Sequence, residues 1–271
     1  MAASLYRVRT GEGESARWAI RREGQFIEVE TPLGDFPEAD ASSLSLGAPL
    51  EGVTEKDALA PADPTKIVCV GRNYRAHAEE LGNAIPEEPL IFLKPPSALI
   101  GPGQAIHLPD QSEEVHHEAE LAMVVGRRAK SVSAQRAHEF VAGYTCANDV
   151  TARDIQRRED KFSRAKGFDT FCPVGPTMAL ASEFEPAEHH VTCRVNGRDR
   201  QHAGLDDFIF PPAEIIEFVS HIMTLEPGDL VLTGTPSGVG PVEAGDTVDI
   251  AVDGIGTLRN PVVRHPADDV S

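Results

Sequence analysis

The segment VHHEAELAMVVG, residues 115–126, joins an ionisable half to an apolar half. The apolar half is typical of a strand that enters the core of a sheet. Successive side chains of a strand point to opposite faces, so Glu118 and Glu120 share one face, with Cβ atoms roughly 6–7 Å apart. His116 lies on that face and His117 on the other. Two like charges at the end of a buried strand are costly unless a cation compensates them.

A divalent cation would relieve this repulsion, because Mg²⁺, Mn²⁺ and Ca²⁺ prefer carboxylate oxygens. Such a site needs a third anionic ligand, and Asp149, which ends the predicted strand YTCAND, is the best candidate. The alternative is an exposed Glu-x-Glu pair on an edge strand, which needs no ion. Zinc binding by His116 and His117 is disfavoured because adjacent strand residues face opposite ways.

Length, charge and composition restrict the class of protein. With 271 residues, 41% hydrophobic, the chain can bury the core of one large domain, or of one domain with a small appendage. A formal net charge of −18 disfavours nucleic acid and anionic membrane as partners. We find no apolar run of the ~20 residues that span a bilayer and no signal-peptide pattern, so we expect a cytoplasmic protein. The four cysteines form no CxxC pair, which predicts buried reduced thiols.

One basic stretch stands out in this acidic chain. It contains Arg153, Arg157, Arg158, Lys161, Arg164 and Lys166. Most of these side chains are expected on a solvated helix face. A local cationic patch would also suit a small anionic substrate.

A second ionisable group lies in NYRAHAEELG, residues 73–82. His77 and Glu80 are three residues apart and share one face of a predicted helix over residues 74–81. A carboxylate beside an imidazole can make it a general base that activates water, although an ordinary surface pair is the alternative. The chain has no GxSxG motif, and the glycine-rich residues 233–240 lead to a strand rather than to a helix. Serine-hydrolase and dinucleotide-binding functions therefore lack support.

Alternation and turn signals predict a mainly β chain. Residues 18–30 alternate on both sides of a Glu-Gly turn, and Asn196-Gly197 is a hairpin signal. Further helices are predicted over residues 132–144 and 211–225. Strands and helices do not alternate as βαβ units, which predicts an α+β, β-rich fold with a mixed, mainly antiparallel sheet and a few packed helices.

The order of six segments resembles that of the fumarylacetoacetate hydrolase family. The segments are VGRNYRAHAEELG, PLIFLKPPSALIGPG, VHHEAELAMVVG, YTCANDVTARDIQ, FSRAKGFDTFCPVGP and VLTGTPSGVG. The resemblance runs from about residue 66 to 263 and implies a β-roll core and a homodimer. It also implies a catalytic domain over residues 63–268, after a small N-terminal β domain over residues 1–62.

The resemblance implies roles for individual residues. The family holds one Mg²⁺ or Mn²⁺ per subunit with three carboxylates, which match Glu118, Glu120 and Asp149. Its water-activating dyad and its lysine near the metal match the catalytic candidates His77, Glu80 and Lys166. Its substrate-side positions match Arg72, Asn73, Arg153, Gln156 and Thr235.

The resemblance implies metal-dependent hydrolysis of a C–C bond in an acylpyruvate or related β-diketo acid, through a stabilised enolate. One alternative is decarboxylation or isomerisation of oxaloacetate or of an unsaturated oxo-dioate of the 2-hydroxyhepta-2,4-diene-1,7-dioate type, in aromatic-acid catabolism. Another is a non-catalytic protein that binds a keto acid. The short segment of residues 157–165, which helps wall the family's pocket, leaves the exact substrate open.

Overall fold

The computed structural model describes residues 4–11, 15–75, 85–159 and 161–264. Its strands are β1 Ser4–Val8, β2 Arg17–Arg22, β3 Gln25–Val29, β4 Leu46–Pro49, β5 Ala58–Leu59, β6 Ile67–Gly71, β7 Leu90–Lys94, β8 Leu99–Ile100, β9 Ile106–Leu108, β10 Val115–His117, β11 Ala119–Val125, β12 Val141–Asn148, β13 Thr151–Ala152, β14 Cys172–Leu180, β15 His190–Val195, β16 Arg198–Gly204, β17 Leu230–Leu232, β18 Gly240–Pro241, β19 Thr247–Val252 and β20 Gly256–Arg264. The α-helices in these ranges are α1 Arg153–Arg158, α2 Ser163–Lys166 and α3 Pro212–Ile222. Short 3-10 helices occupy Leu33–Glu38, Glu55–Asp57, Pro96–Ala98, Ala134–Glu139, Ala181–Glu183, Pro186–Glu188 and Leu205–Asp207.

The strands form three sheets. The largest has twelve strands in the order β4-β3-β2-β1-β14-β12-β11-β17-β6-β7, with β5 paired to β1 and β8 paired to β14. A five-stranded sheet has the order β16-β15-β19-β20-β9, and a three-stranded sheet has the order β13-β10-β18. Among the described strands the pairs are antiparallel except for β6–β17, β8–β14 and β9–β20. The predicted mixed, mainly antiparallel, β-rich fold is confirmed.

Strands β11 and β12 lie at the centre of the largest sheet, and every residue of both is buried. Leu121 and Met123 belong to the core that also contains Val219 of α3. Ala122 and Val124 belong to a second core on the opposite face. The apolar half of the segment therefore alternates between two buried faces, as its strand period requires.

The strand expected over residues 115–126 is interrupted at Glu118. β10 pairs with β13 and β18, whereas β11 pairs with β12 and β17. At the break, the Glu118 N–H donates to the side-chain oxygen Asn148 Oδ1 at 2.9 Å rather than to a backbone carbonyl. The segment thus passes from a small sheet to the central sheet at its first glutamate.

Some local predictions are confirmed and one is wrong. The hairpins β2–β3 and β15–β16 form around the expected turns, and α3 covers most of the helix predicted over residues 211–225. The helix predicted over residues 132–144 is wrong, because a 3-10 helix ends at Glu139 and β12 begins at Val141. Pairing with β11 and β14 outweighs the helical pattern there.

The N-terminal strands extend the central sheet. β1 pairs with β14 through Leu5 and Met178, and β2, β3 and β4 follow outward from β1. The boundary at residue 62 stays a prediction. All four cysteines are free and buried, as predicted. None of the described helices has the length and apolarity that a bilayer crossing requires.

Candidate metal centre and substrate pocket

Three carboxylates meet where β11 and β12 lie side by side. Glu118, Glu120 and Asp149 each offer an oxygen, and these atoms lie within 4.8 Å of one another. Asp149 follows β12 directly, and its N–H donates to Glu118 O at 2.9 Å. The residues are only 6%, 1% and 1% exposed, respectively. The alternative of an exposed Glu-x-Glu pair is therefore wrong.

Three buried or half-buried cations surround the carboxylates. Lys166 Nζ lies 2.9 Å from Glu118 Oε2 and 2.5 Å from Asp149 Oδ2. Arg153 forms an ion pair with the other oxygen of Glu118. Lys94 Nζ lies 2.6 Å from Asp149 Oδ1 and donates to Val150 O at 3.1 Å. Glu118 and Asp149 are thus each paired with two cations, and they share Lys166.

Lys94 was not among the residues singled out from the sequence. It is the last residue of β7 and is 1% exposed. The available signal was a single charged residue at the end of the apolar run PLIFL. A buried lysine normally requires a charged partner, but the sequence does not reveal that this partner is Asp149.

The cations act unequally on the two glutamates. Burial alone would raise the pKa of Glu118, but Lys166 and Arg153 outweigh it and bring the pKa to about 2. The pKa of Glu120 is raised well above its ordinary value by burial, by Asp149 and by Glu118. The ionised form of Glu120 is therefore the least compensated of the three carboxylates. A hard divalent cation beside it would favour that form, so the donor set fits Mg²⁺ or Mn²⁺.

A cavity of about 340 Å³ opens over the carboxylates. Its lining residues are Val70, Gly71, Arg72, Leu90, Phe92, Glu118, Glu120, Asp149, Arg153, Gln156, Arg157, Phe162, Lys166 and Thr235. The structure thus brings four of the substrate-side candidates, namely Arg72, Arg153, Gln156 and Thr235, into one cavity with Lys166. Phe92 packs edge-on against Phe162 and under Lys166 Nζ, which lies 4.9 Å from its ring centroid.

Asn73, the fifth substrate-side candidate, lies beneath the cavity. Its Nδ2 donates to Phe210 O at 3.0 Å and to Thr233 O at 2.7 Å, and its Oδ1 accepts from Phe210 N at 2.7 Å. The residue is 0% exposed and does not line the cavity. Its amide is used to hold backbone in place. The dyad candidates His77 and Glu80 lie outside the described residues.

The two histidines of the opening segment point to opposite sides, as expected. His116 Nε2 lies 2.8 Å from Glu114 Oε1, and its Nδ1 accepts from Arg153 Nε at 3.3 Å. His117 is buried, and its Nδ1 lies 3.0 Å from Gln201 Oε1. Burial lowers the pKa of His117 to about 4, so its ring is neutral at pH 7. Neither histidine belongs to the group that could hold an ion.

Comparison with known families gives a match over most of the chain. The model of the fumarylacetoacetate (FAA) hydrolase C-terminal domain matches residues 66–263. The chain belongs to this family. Fumarylacetoacetate hydrolase family members therefore supply the relevant comparisons, and the resemblance of the ordered motifs is confirmed.

Family relatives carry names of different reactions. Oxaloacetate tautomerase YisK of Bacillus subtilis is 41% identical over 241 residues, which are 85% of this chain and 76% of that protein. The structure of 5-carboxymethyl-2-hydroxymuconate delta-isomerase from Mycobacterium smegmatis is 42% identical, with a TM-score of 0.83 over 97% of this chain and 100% of that chain. Fumarylpyruvate hydrolase from Pseudomonas aeruginosa, in complex with Mn²⁺ and pyruvate, is 36% identical, with a TM-score of 0.71 over 75% of this chain and 91% of that chain.

Proposed function

We propose that the protein is an enzyme that binds a small anionic 2-oxo acid at Mg²⁺ or Mn²⁺ and interconverts its keto and enol forms or the positions of its double bonds. The reaction class is that of a tautomerase or isomerase. Support comes from the buried carboxylate group and its cations, and from relatives with tautomerase and isomerase names.

The observation that carries this proposal is the charge of the site. The carboxylates of Glu118, Glu120 and Asp149 are matched in number by the cations of Lys94, Arg153 and Lys166. A divalent ion would add two positive charges, which a dianionic ligand would balance. The enolate of a 2-oxo acid is such a ligand, because its carboxylate and its enolate oxygen are adjacent and both negative.

The candidate site residues have different proposed roles. Glu118, Glu120 and Asp149 would hold the ion, which would act as a Lewis acid toward the 2-oxo group. Lys166 adds a fixed positive charge on the same side, where negative charge develops on the substrate oxygen.

Other residues of the cavity would select the rest of the substrate. Leu90, Phe92 and Phe162 line the cavity with apolar groups, which would limit the access of water to the reacting carbons. Arg72 and Arg157 also line the cavity and would bind a distal carboxylate of an oxo-dioate.

Hydrolysis of an acylpyruvate is the second candidate. The fumarylpyruvate hydrolase relative, in complex with Mn²⁺ and pyruvate, favours it, as does the His77–Glu80 pair in the sequence. Hydrolysis needs the same enolate and, in addition, a base that activates water. The homodimer and the cytoplasmic location also stay proposals, and sedimentation of the purified protein would test the first.

A spectrophotometric panel distinguishes these reactions. We would follow enol-to-keto conversion of oxaloacetate, isomerisation of 2-hydroxyhepta-2,4-diene-1,7-dioate, and cleavage of fumarylpyruvate and acetylpyruvate, each with Mn²⁺ and with EDTA. We expect turnover of at least one dioate in the presence of Mn²⁺, and we expect EDTA to abolish that turnover. Cleavage of the acylpyruvates without isomerisation would favour hydrolysis, and no turnover of any compound would contradict both candidates.

Glu120→Gln tests the site itself. The change removes the group with the raised pKa and one ligand charge, so we expect loss of Mn²⁺ binding in calorimetry and a loss of turnover of about 100-fold or more. Glu188→Gln, at an exposed position, is the matched control and should change neither quantity.

A further inference from the structure

Gln201 is a buried amide that uses all of its hydrogen-bonding groups. It lies in β16 and is 2% exposed. Its Oε1 accepts from Ala119 N at 3.0 Å and lies 3.0 Å from His117 Nδ1. Its Nε2 donates to Thr235 Oγ1 at 2.8 Å and to Pro236 O at 2.9 Å. Gln201, from the five-stranded sheet, thus bridges two elements of the site. One is β11, the metal-ligand strand, which carries the candidate ligand Glu120. The other is the glycine-rich turn, residues 233–240.

The partners determine how this amide is oriented. The Ala119 N–H can only donate, and the Pro236 carbonyl can only accept, so the oxygen and nitrogen of Gln201 cannot be exchanged. Because Oε1 can only accept, His117 carries its proton on Nδ1. The orientation follows from fixed backbone groups at both ends of the amide.

The glycine-rich turn packs tightly against β16 on one side and against β11 on the other. Gly238 has a φ of +92°, and a Cβ there would lie 2.2 Å from Arg200 O. On the other side, the Gly234 N–H donates to Glu120 Oε2 at 2.7 Å. The turn therefore contacts a candidate metal ligand directly, and Gln201 spans the space between the turn and the strand.

Thr235 is the point at which this bridge reaches the cavity. Its Oγ1 accepts from Gln201 and donates to Ala119 O at 2.9 Å. One lone pair of the hydroxyl is left for a ligand. Gln201 does not line the cavity, so it can act on a ligand only through its partners, and Thr235 is the partner that lines the cavity.

We propose that Gln201 is a positioning residue of the site, which holds Thr235 at a fixed place beside the metal-ligand strand. The proposal rests on the proposed function, because it concerns the binding of a 2-oxo acid in the same cavity. It assigns a role to a residue of a strand that is remote in sequence from the family motifs quoted above.

Gln201→Met tests this role, because methionine has a similar volume and makes none of the four contacts. Binding of Mn²⁺ alone and then of pyruvate to the Mn²⁺-loaded protein would be measured by calorimetry. We expect the Mn²⁺ Kd to change by less than about 3-fold and the pyruvate Kd to rise about 10-fold. In the Thr235→Val background, the same change should raise the pyruvate Kd by less than about 2-fold, since the coupled partner is gone.

Three further variants keep the test decisive. Thr235→Ser retains the hydroxyl, so the effect of Gln201→Met should persist in that background. Asn260→Leu removes another buried amide, which donates to Gly101 O and Gln104 O away from the cavity, and should leave both Kd values unchanged. Gln201→Glu keeps the shape and the oxygen near Ala119 but loses both donors. It replaces Gln201→Met if that variant does not fold, and the same 10-fold effect is expected.

The outcomes separate this inference from the proposed function. An unchanged pyruvate Kd, equal weakening of Mn²⁺ and pyruvate, or additive effects of Gln201→Met and Thr235→Val would overturn the positioning role alone. A wild-type protein that binds neither Mn²⁺ nor pyruvate would contradict the proposed function and this inference together.

Discussion

Lys94 and Lys166 bind the two oxygens of Asp149 from different sides, and both lysines are buried. Removing one partner of a buried ion pair leaves a charge without compensation and costs about 3–5 kcal/mol. We expect Lys94→Met to lower the free energy of unfolding by about 3 kcal/mol in EDTA. The loss should be smaller in saturating Mn²⁺, because a bound cation would compensate Asp149. Urea denaturation under both conditions measures the difference.

Lys130→Met is the control for this measurement. Lys130 is exposed, and its replacement should change the free energy of unfolding by less than about 0.5 kcal/mol in both conditions. Equal losses for Lys94→Met with EDTA and with Mn²⁺ would contradict the role of Lys94 in compensating Asp149.

Residues differ in how far the sequence reveals them. Glu118 and Glu120 could be placed together because their spacing equals the strand period, and the family resemblance added Asp149. Lys94 and Gln201 could not be placed, because their partners depend on which strands become neighbours. Such pairings are non-local and leave no periodic pattern near the residue itself.

At the scale of elements, Asp229 joins the ends of the parallel strands β6 and β17. Its carboxylate accepts from Thr65 N at 2.8 Å, Lys66 N at 3.1 Å and Glu226 N at 2.7 Å, and it also binds Lys66 Nζ. Burial raises the pKa of Asp229, but the bonds from Glu226 and Lys66 outweigh it and hold the pKa below its ordinary value. The carboxylate therefore stabilises the fold in its ionised form.

Asp229→Asn should lose this stabilisation with a definite pH dependence. A depressed pKa in the folded protein contributes stability above the unfolded pKa of about 3.9, and this contribution disappears as the pH falls through the folded pKa. We expect a loss of about 2 kcal/mol at pH 7 that shrinks below about pH 4. Denaturation between pH 3 and 7 measures it, with the exposed Asp110→Asn as control. A loss that is constant over this range would contradict the assignment.

Gly238, in the glycine-rich turn, and Gly245, in the turn before β19, form a matched pair of glycines. Gly238 and Gly245 both have a positive φ, of +92° and +97°, but only Gly238 has close neighbours for a Cβ. Gly245→Ala should cost about 1 kcal/mol from the backbone conformation alone. Gly238→Ala should cost at least about 2 kcal/mol more, because its Cβ meets backbone, and should weaken pyruvate binding by displacing Thr235. Equal costs in thermal unfolding would show that the close approach is unimportant.

Helices and strands were predictable where a local sequence signal agreed with the strand pairing and helix packing of the folded chain. The turn at Asn196-Gly197 and the amphipathic pattern of α3 both specify structure from nearby residues. The segment over residues 132–144 has a helical pattern, but residues 141–144 begin β12 because two neighbouring strands pair with its backbone. The split at Glu118 likewise reflects a choice between two sheets that no local pattern encodes.

At the scale of the whole molecule, the N-terminal strands and the family domain share one core. Leu5, Ile20 and Phe36 are buried in the same cluster as Val124 and Met178. Composition indicated a boundary near residue 62, and the family match begins at residue 66. The sheet nevertheless continues across that boundary through β1 and β14. A loop composition marks where a chain leaves one element, but it does not show whether the next element packs on the same core.

This shared core predicts how the chain responds to truncation. Removing residues 1–62 would expose the β14 edge that pairs with β1 and the apolar side chains that contact Leu5 and Phe36. Exposed apolar surface and an unpaired strand edge favour aggregation. We expect the full chain to unfold in one calorimetric transition and residues 63–271 alone to be aggregated or unfolded. A truncated chain that is monodisperse and melts cooperatively near the temperature of the full chain would show that the two parts fold independently.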